Sequence, residues 1–275
     1  MFSSLIKSFW GIRDEVSPME ALMFALIPIG LVFLIWVFFT AGPPEKRVVS
    51  MAILPSPGDI FGVIPKLFSP EKRLLDSIVV SLMRIAVGFF IASCIALPLG
   101  ILMGAFCRIE KMFTSLILVG SYLPIPTIVP LTVFWFGTGE EQKIGFLAIA
   151  SFVYLLPAVV TAVNDVDDIF INTGYTTGAS KWQIVRKILI PVAMPKIYDS
   201  LRMGFGVGFT WIIMAEMIGA DSGLGYLLRQ AQTRGGVDNT PLVFAILILI
   251  ILMAFVMDYL WKFFYRQFFP YKEER

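Results

Sequence analysis

Two ionisable side chains lie inside long apolar runs, where charge is costly and commonly serves a function. Arg84 falls within SIVVSLMRIAVGFF, and Glu216 directly follows FTWIIMA. Such an arginine could attract an anion, or it could pair with the glutamate across two helices as part of an outer gate. The alternative is that both side chains reach the membrane surface or form purely structural pairs. The sequence leaves these alternatives open.

Few other residues suggest covalent or metal chemistry. The chain has no histidine, which removes the commonest metal ligand and the usual general base near neutral pH. Cys94 and Cys107 are thirteen positions apart without CxxC spacing, so we expect two buried thiols. The cluster Asp165, Asp167 and Asp168 could serve a membrane-embedded enzyme, but helix capping explains it more simply. We therefore predict that the chain is not an enzyme and holds no metal or cofactor.

The composition is that of a membrane protein. Of 275 residues, 57% are hydrophobic and 15% are charged, with a mean hydropathy of +0.82, whereas soluble domains carry about 25% charged residues. A membrane span needs about 20 mostly apolar residues. Six runs qualify, at residues 20–40, 77–106, 112–136, 143–163, 198–220 and 241–264. The sequence thus predicts an all-α membrane protein with six transmembrane helices in one domain, residues 1–275.

Charge in the connecting segments predicts the orientation. No small-residue cleavage site follows the first apolar run, so we expect the N-terminal segment and its span to be retained. With the N-terminus in the cytoplasm, thirteen Lys and Arg residues fall in cytoplasmic segments and eight in external ones. This excess favours both termini in the cytoplasm. Within the N-terminal region, residues 1–76, the stripe Ile60, Phe61, Ile64 and Leu67 predicts an external amphipathic helix capped by Asp59.

The third predicted span contains SYLPIPTIVP, which has three prolines. Broken backbone at membrane depth is tolerated only where it faces protein or a cavity. We interpret this stretch as the lining of a translocation pathway; a structural kink is the alternative. The predicted pathway residues are Arg84, Tyr122, Pro124, Pro126, Thr210, Trp211 and Glu216.

A polar segment, residues 164–197, separates the fourth and fifth predicted spans on the predicted cytoplasmic side. Aspartates at its start predict a short helix from about Asp168 to Thr176. Gly178 then predicts a turn, because glycine adopts positive φ without cost. Ser180 begins the capping-box spacing S-x-x-Q, so a second helix should start at Lys181.

The second helix should present one apolar face and end at a proline. We expect Trp182, Val185, Ile188 and Leu189 to line that face, and Pro191 to end the helix. The segment could simply anchor two spans at lipid headgroups. Two separately capped helices exceed what anchoring requires and suit a rigid lever that another protein grips.

Four stretches carry a resemblance to a known family. The spacing Gly178-x9-Ile188-x-Ile190-Pro191 resembles the second half of the EAA loop of ABC importer permeases. The family glutamate and its two alanines fall on Asn172, Thr173 and Gly174. LPSPGDIF, SIVVSLMRIAVGFFIASCIALPLGILMG and AEMIGADSGLGYLL are similar to the nitrate, sulfonate, taurine and bicarbonate branch of these permeases.

This resemblance implies a type I ABC importer permease in a bacterial inner membrane, with a core over residues 77–266. Its residues 164–197 would form a loop that docks on a cytoplasmic ABC ATPase. The implied coupling residues are Asp168, Asn172, Thr173, Gly174, Tyr175, Gly178, Ile188 and Pro191. The chain has no GxxxxGK[ST] motif, so ATP and Mg²⁺ would be bound by the partner ATPase.

Further partners follow from the same resemblance. They are a second copy of the permease, membrane lipid, and a periplasmic or lipid-anchored substrate-binding protein, with no nucleic acid. The implied cargo is a small anion or sulfonate-like solute, such as nitrate, taurine, an alkanesulfonate or bicarbonate. The rival hypothesis is a secondary transporter driven by an ion gradient. It needs paired acidic groups in mid-membrane, for which Glu216 is the one candidate, and it gives the polar loop no role.

Overall fold

The computed structural model describes residues 16–43, 46–69, 73–234 and 239–271, and the regular structure within these ranges is helical. The predicted retention of the N-terminal segment concerns residues 1–15, which lie outside them. The chain divides into two compact units, Met1–Gly62 and Val63–Arg275. In chain order the elements are α1 Pro18–Phe39, α2 Pro57–Leu67, α3 Leu74–Ala105, α4 Cys107–Ser121, a 3₁₀ turn Ile125–Thr127, α5 Ile128–Phe136, α6 Glu140–Asn164, α7 Asp168–Thr176, α8 Lys181–Ile184, a π-helical turn Val185–Leu189, α9 Ile190–Met217, α10 Leu224–Arg234 and α11 Thr240–Phe268.

The length and composition of the helices indicate how many of them could cross a membrane. Helices α1, α3, α6 and α11 are each long and apolar enough to cross a membrane. Helix α4 and the stretch Ile125–Phe136 give a fifth candidate, bent by 83°. The remaining predicted span corresponds to α9, which carries four charged residues: Lys196, Asp199, Arg202 and Glu216. The described residues therefore provide four or five spans by length and composition, and the six-span topology stays a prediction.

In the first unit, α1 is a single apolar helix. It begins with a capping box in which Ser17 Oγ accepts from the Glu20 N–H at 3.3 Å and Glu20 Oε2 accepts from the Ser17 N–H at 3.1 Å. No residue of α1 is buried, although its side chains are apolar on all sides. Such a surface is suited to a lipid environment.

The segment after α1 is held by polar contacts to its backbone and between its side chains. Trp36 Nε1 donates to Pro55 O at 2.9 Å, and Arg47 pairs with Asp59 at 2.5 Å. Helix α2 begins at Pro57, because Ser56 Oγ accepts from the Asp59 N–H at 3.2 Å while Asp59 accepts from the Ser56 N–H at 2.9 Å. Ser56 is thus the N-cap and Asp59 is the third helical residue. The predicted amphipathic helix is present, but the prediction that Asp59 caps it is wrong.

In the second unit, α3 and α6 pack along their lengths through small residues. A Cβ placed at Gly100 would lie 2.7 Å from Val159 Cγ1, and one at Gly104 would lie 2.6 Å from Val163 Cβ. Helix α9 crosses this pair, and a Cβ at Gly204 would lie 2.9 Å from Leu155 Cδ2. Backbones can approach this closely only where the side chain is absent.

The predicted third span is broken at its prolines. Helix α4 ends at Ser121, and Pro124 and Pro126 flank the start of the 3₁₀ turn. Both prolines lack the N–H that would continue the hydrogen-bond ladder, so the chain bends by 83° between α4 and the stretch Ile125–Phe136. The interruption predicted from the prolines is confirmed, and the helix begins earlier than expected, at Cys107.

The expectation of buried thiols is wrong, since both Cys94 and Cys107 are exposed. Cys94 lies on α3, where Ala92, Ser93 and Ala96 take the buried face. The helical phase therefore turns Cys94 outward. Cys107 is the first residue of α4, outside the packed interior.

Candidate functional site

A fully buried carboxylate, that of Glu216 near the end of α9, is the centre of a polar network. Arg84 Nη1 donates to its Oε1 at 2.7 Å, and the Gly225 N–H donates to its Oε2 at 2.8 Å. Ser81 Oγ donates to the same carboxylate at 2.7 Å and itself accepts from the Leu224 N–H at 2.9 Å. The buried negative charge is therefore paired and hydrogen-bonded, as burial of charge requires.

Arg84 connects this buried carboxylate to a second one that reaches the surface. Its Nε donates to Glu140 Oε2 at 2.7 Å, and its Nη2 donates to Glu140 Oε1. Its Nη1 also donates to Ser222 O at 2.9 Å. The Arg84 side chain is 3% exposed, whereas that of Glu140 is 61% exposed. One guanidinium thus serves two carboxylates on different helices.

Glycines allow the backbone to surround Glu216. Gly219 and Gly223 have φ of +65° and +110°, which disfavour any other residue. A Cβ at Gly223 would overlap the Glu216 carboxylate, and one at Gly225 would lie 2.6 Å from Glu216 Cβ. The segment GADSGLG is therefore explained by its wrapping around a buried charge.

Pairing of Arg84 with Glu216 across two helices was one of the alternatives that the sequence left open. The structure shows the two side chains in contact. Neither side chain reaches the surface. The sequence did not identify Glu140 or Ser81 as members of this network. Glu140 stands at the N-terminus of α6, outside the apolar runs in which a charge draws notice. The role of the pair as a gate stays a prediction.

The polar loop between α6 and α9 is a helical hairpin. Asp167 Oδ1 accepts from the Ile169 N–H at 2.9 Å and begins α7. Gly178 turns the chain with φ of +77°. Ser180 and Gln183 then form a capping box, with the Ser180 N–H donating to Gln183 Oε1 at 2.8 Å. The predicted caps, turn and second helix start are confirmed.

Helix α7 packs closely on the second helix at Gly174, its buried residue. A Cβ there would lie 2.7 Å from Ile188 Cδ1 and 3.1 Å from Ile184 Cγ1. The hairpin is therefore a packed unit rather than two independent segments. The other coupling residues predicted on α7 are exposed: Asp168, Asn172, Thr173 and Tyr175.

A π-helical turn joins α8 to α9 without a break. The Ile190 N–H donates to Val185 O, five residues earlier, and the helix continues through Pro191 into α9. The prediction that Pro191 ends the helix is wrong. The wide turn has already interrupted the regular ladder there, so the missing N–H of Pro191 costs no further bond.

The apolar face of the second helix differs from the prediction at one position. Val185 and Leu189 are buried and Ile188 is half-buried, as expected. Trp182, however, is 64% exposed and contacts Phe106 edge-on at 5.5 Å. The side chains that meet α7 at Gly174 are those of Ile184 and Ile188, and Trp182 is not among them.

Two of the three residues in the acidic cluster have structural roles. Asp165 pairs with Lys196 at 3.2 Å, and Asp167 caps α7. Within residues 16–43, 46–69, 73–234 and 239–271, no group of three or more His, Cys, Asp or Glu side chains is placed to hold a metal ion.

A cavity of about 450 Å³ lies between α4, the proline-rich link, α6 and α9. Of the predicted pathway residues, Trp211 lines this cavity, and the pathway role stays a prediction. Tyr122, Pro124, Pro126 and Thr210 are exposed and are not among its lining residues. The residues that line it are Gly120, Ser121, Leu123, Ile125, Ala150, Val153, Tyr154, Pro157, Ala158, Thr161 and Trp211.

Residues 96–269, more than half of the chain, match the family described as the binding-protein-dependent transport system inner membrane component. A putative ABC transporter permease of Methanocaldococcus jannaschii is 33% identical over 78% of this chain and 77% of its own length. The taurine transport system permease protein TauC of Escherichia coli is 30% identical over 77% of this chain and 78% of its own length.

The fold also has solved counterparts. A chain of the methionine ABC transporter MetNI, in an inward-facing conformation, superposes with a TM-score of 0.62 at 21% identity. The match covers 73% of this chain and 99% of that one. The likeness establishes a shared helical fold.

Proposed function

Because the chain belongs to the family of binding-protein-dependent transport system inner membrane components, we propose that it is the transmembrane permease subunit of an ATP-driven importer for a small anion or sulfonate-like solute. The family makes it a multi-pass membrane permease of ABC transporters and not an enzyme. The bacterial inner membrane, the type I fold with six spans and the cytoplasmic termini belong to the proposal.

The observation that carries the coupling role is the hairpin of α7 and α8. It packs through Gly174 and is continuous, through the π-helical turn, with α9. Its outer surface exposes apolar side chains that a water-facing loop would otherwise keep covered: Ile169 is 67% exposed and Tyr175 is 51% exposed. An exposed apolar surface on a rigid element is typical of a protein-binding site. A force applied there would pass directly into α9.

The proposed assembly has two copies of this chain, two ABC ATPase subunits and a substrate-binding protein. The ATPases bind ATP and Mg²⁺, and their closure draws the two α7 helices together. The spans then open outward to receive the solute, and hydrolysis resets them. The chain contributes the pathway and the lever, and its partners contribute the energy and the delivery.

The polar network is best suited to the outer gate of this pathway. Two carboxylates already occupy the Arg84 guanidinium, so its positive charge is compensated and has little attraction left for an anionic solute. Arg84 instead ties α3 to Glu140 on α6 and to Glu216 on α9. We assign it to holding these helices together, rather than to substrate contact.

Nitrate, taurine, an alkanesulfonate and bicarbonate are the solutes considered. The relatives TauC and the putative aliphatic sulfonates permease SsuC of Bacillus subtilis favour the sulfonates, at 30% and 26% identity. The rival hypothesis of an ion-gradient transporter has no support among the relatives. It also requires a free acidic group in mid-membrane, whereas Glu216 is paired with Arg84.

Affinity-tagged chain purified from its native membrane tests the coupling role. We expect an ABC ATPase to co-purify, identified by mass spectrometry, and ATP-dependent uptake when the complex is reconstituted. Tyr175→Asp should release the ATPase and abolish uptake, because it places a charge on the apolar docking surface. Tyr175→Phe retains the ring and should behave like the wild type. Normal ATPase retention and uptake by Tyr175→Asp would contradict the proposal.

A further inference from the structure

The lining of the cavity of about 450 Å³ indicates which class of solute the protein binds. This inference rests on the proposed transport function. Small-molecule sites have volumes of about 300–1,000 Å³. The cavity lies between the broken third span, α6 and α9. Helix α9 is continuous with the hairpin. A solute bound there would contact an element that the ATPase is proposed to move.

None of the residues that line this cavity is ionisable at neutral pH. Two of its three hydroxyl groups, those of Ser121 and Thr161, already donate to backbone carbonyls. Ser121 Oγ donates to Ile117 O at 2.9 Å, and Thr161 Oγ1 donates to Pro157 O at 2.9 Å. Because a hydroxyl has one hydrogen, both side chains present acceptor lone pairs to the cavity. A small inorganic anion would lose its hydration shell there and gain no cation. The Tyr154 hydroxyl and the Trp211 indole N–H are the donors left in this lining, and two neutral donors replace only part of an anion's hydration.

The same lining favours contact with the hydrocarbon part of a ligand. Tyr154 and Trp211 lie side by side with ring centroids 6.3 Å apart, and both are half-buried. Val153, Pro157 and Ala158 complete an apolar wall beside the two rings. Aromatic rings on an otherwise apolar wall bind flat or hydrocarbon bodies through contact area and ring-to-ring geometry.

We propose that this cavity binds the carbon body of an organic solute, aromatic or alkyl, and excludes inorganic anions. The charged group of a sulfonate stays at the open mouth in water, while its body packs against Tyr154 and Trp211. Among the solutes of the proposed function, this selects organic sulfonates with a substantial body and disfavours nitrate and bicarbonate. Taurine, with only two carbons, should bind weakly.

The test uses the purified full-length chain in lipid nanodiscs and equilibrium binding of benzenesulfonate, hexanesulfonate, taurine, nitrate and bicarbonate. We expect benzenesulfonate and hexanesulfonate to bind at least tenfold more tightly than nitrate and bicarbonate, with taurine between them. Ala158→Trp fills the cavity without removing a contact and should weaken benzenesulfonate binding at least fivefold. Trp211→Ala should do the same. Trp135→Ala, at an exposed position outside this lining, is the matched control and should leave the affinity unchanged.

Three results would overturn the proposal. They are tighter binding of nitrate or bicarbonate than of benzenesulfonate, equal affinity in Ala158→Trp and wild type, and no binding of either larger sulfonate by a folded chain. The second of these would mean that lipid or a second copy of the chain covers the cavity. Each result leaves ATPase co-purification and ATP-dependent uptake untouched, so failure here is distinguishable from failure of the proposed function.

Discussion

Arg84 and Glu216 are 132 positions apart in the chain, yet their side chains meet at 2.7 Å where both are almost completely buried. The pair joins α3 to the end of α9, and Glu140 extends it to α6. A charge pair at such depth is sensitive to the loss of either partner, because the remaining charge is left in an apolar interior. The network therefore makes the relative positions of three helices depend on three side chains.

Glu216→Gln should destabilise the chain strongly, since it leaves Arg84 with a single, partly exposed carboxylate. Removal of one partner of a buried pair costs about 3–5 kcal/mol. We expect a loss of about 3 kcal/mol in the free energy of unfolding, measured by denaturant titration of the purified chain in detergent. Glu141→Gln, at the exposed position next to Glu140, should change it by less than about 0.5 kcal/mol. Equal stability of the two variants would contradict the structural role of the pair.

Gly104→Ala should destabilise the packing of α3 on α6. The added Cβ would lie 2.6 Å from Val163 Cβ, an atom fixed to the backbone of α6. The two helices must separate, at a cost of about 1–3 kcal/mol. Gly206→Ala is the matched control, because no atom lies within 4 Å of a Cβ at Gly206 on α9. That variant should be neutral or slightly stabilising in the same unfolding measurement, since alanine favours helix over glycine. A similar loss in both variants would rule out steric packing as the cause.

The sequence predicted local features well, and features between helices poorly. Asp167, Gly178 and the Ser180–Gln183 box were all identified, because each acts on backbone within a few residues. Arg84 and Glu216 could be identified as candidate functional residues because charged residues are rare within apolar runs. Glu140 could not, since nothing near it in the chain indicates that Arg84 is its partner.

The errors have the same origin. Pro191 was expected to end a helix, but a π-helical turn, whose Ile188 contacts α7 at Gly174, carries the helix past it. No helix was predicted at α10, whose first residues fall in the family-like stretch AEMIGADSGLGYLL. Its buried positions Leu224, Leu227, Leu228 and Ala231 nevertheless have helical spacing, which was a signal available in the sequence.

The Arg47–Asp59 pair should make the segment before α2 sensitive to acid. Hydrogen bonds from Arg47 lower the pKa of Asp59 from 3.8 to about 2. A lowered pKa in the folded state gives stability that is fully present above pH 3.8 and is lost as the pH falls toward 2. Because Asp59 is 23% exposed, we expect a contribution of about 1 kcal/mol.

Hydrogen exchange of the α2 amides between pH 5 and 2 measures this effect. The opening free energy, after correction for the intrinsic exchange rates, should fall by about 1 kcal/mol in the wild type. In Asp59→Asn it should be low throughout and lack this dependence on pH. Asp76→Asn, at the first turn of α3, is the control and should retain the wild-type profile in α2. A flat profile in the wild type would show that the pair does not stabilise this segment.

Deletion of Arg186, an exposed residue of the π-helical turn, should uncouple the hairpin from α9. Removal of one residue restores a regular α-helix and rotates α7 and α8 by about 100° around the helix axis, with a shift of about 1.5 Å. The docking surface then faces a different direction while the membrane helices stay packed. We expect thermal stability close to that of the wild type, together with loss of ATP-dependent uptake by the reconstituted complex. Arg186→Ala removes the same side chain but keeps the turn, so it should transport normally. Normal uptake by the deletion variant would show that the hairpin's orientation on α9 is not what transmits the ATPase's motion.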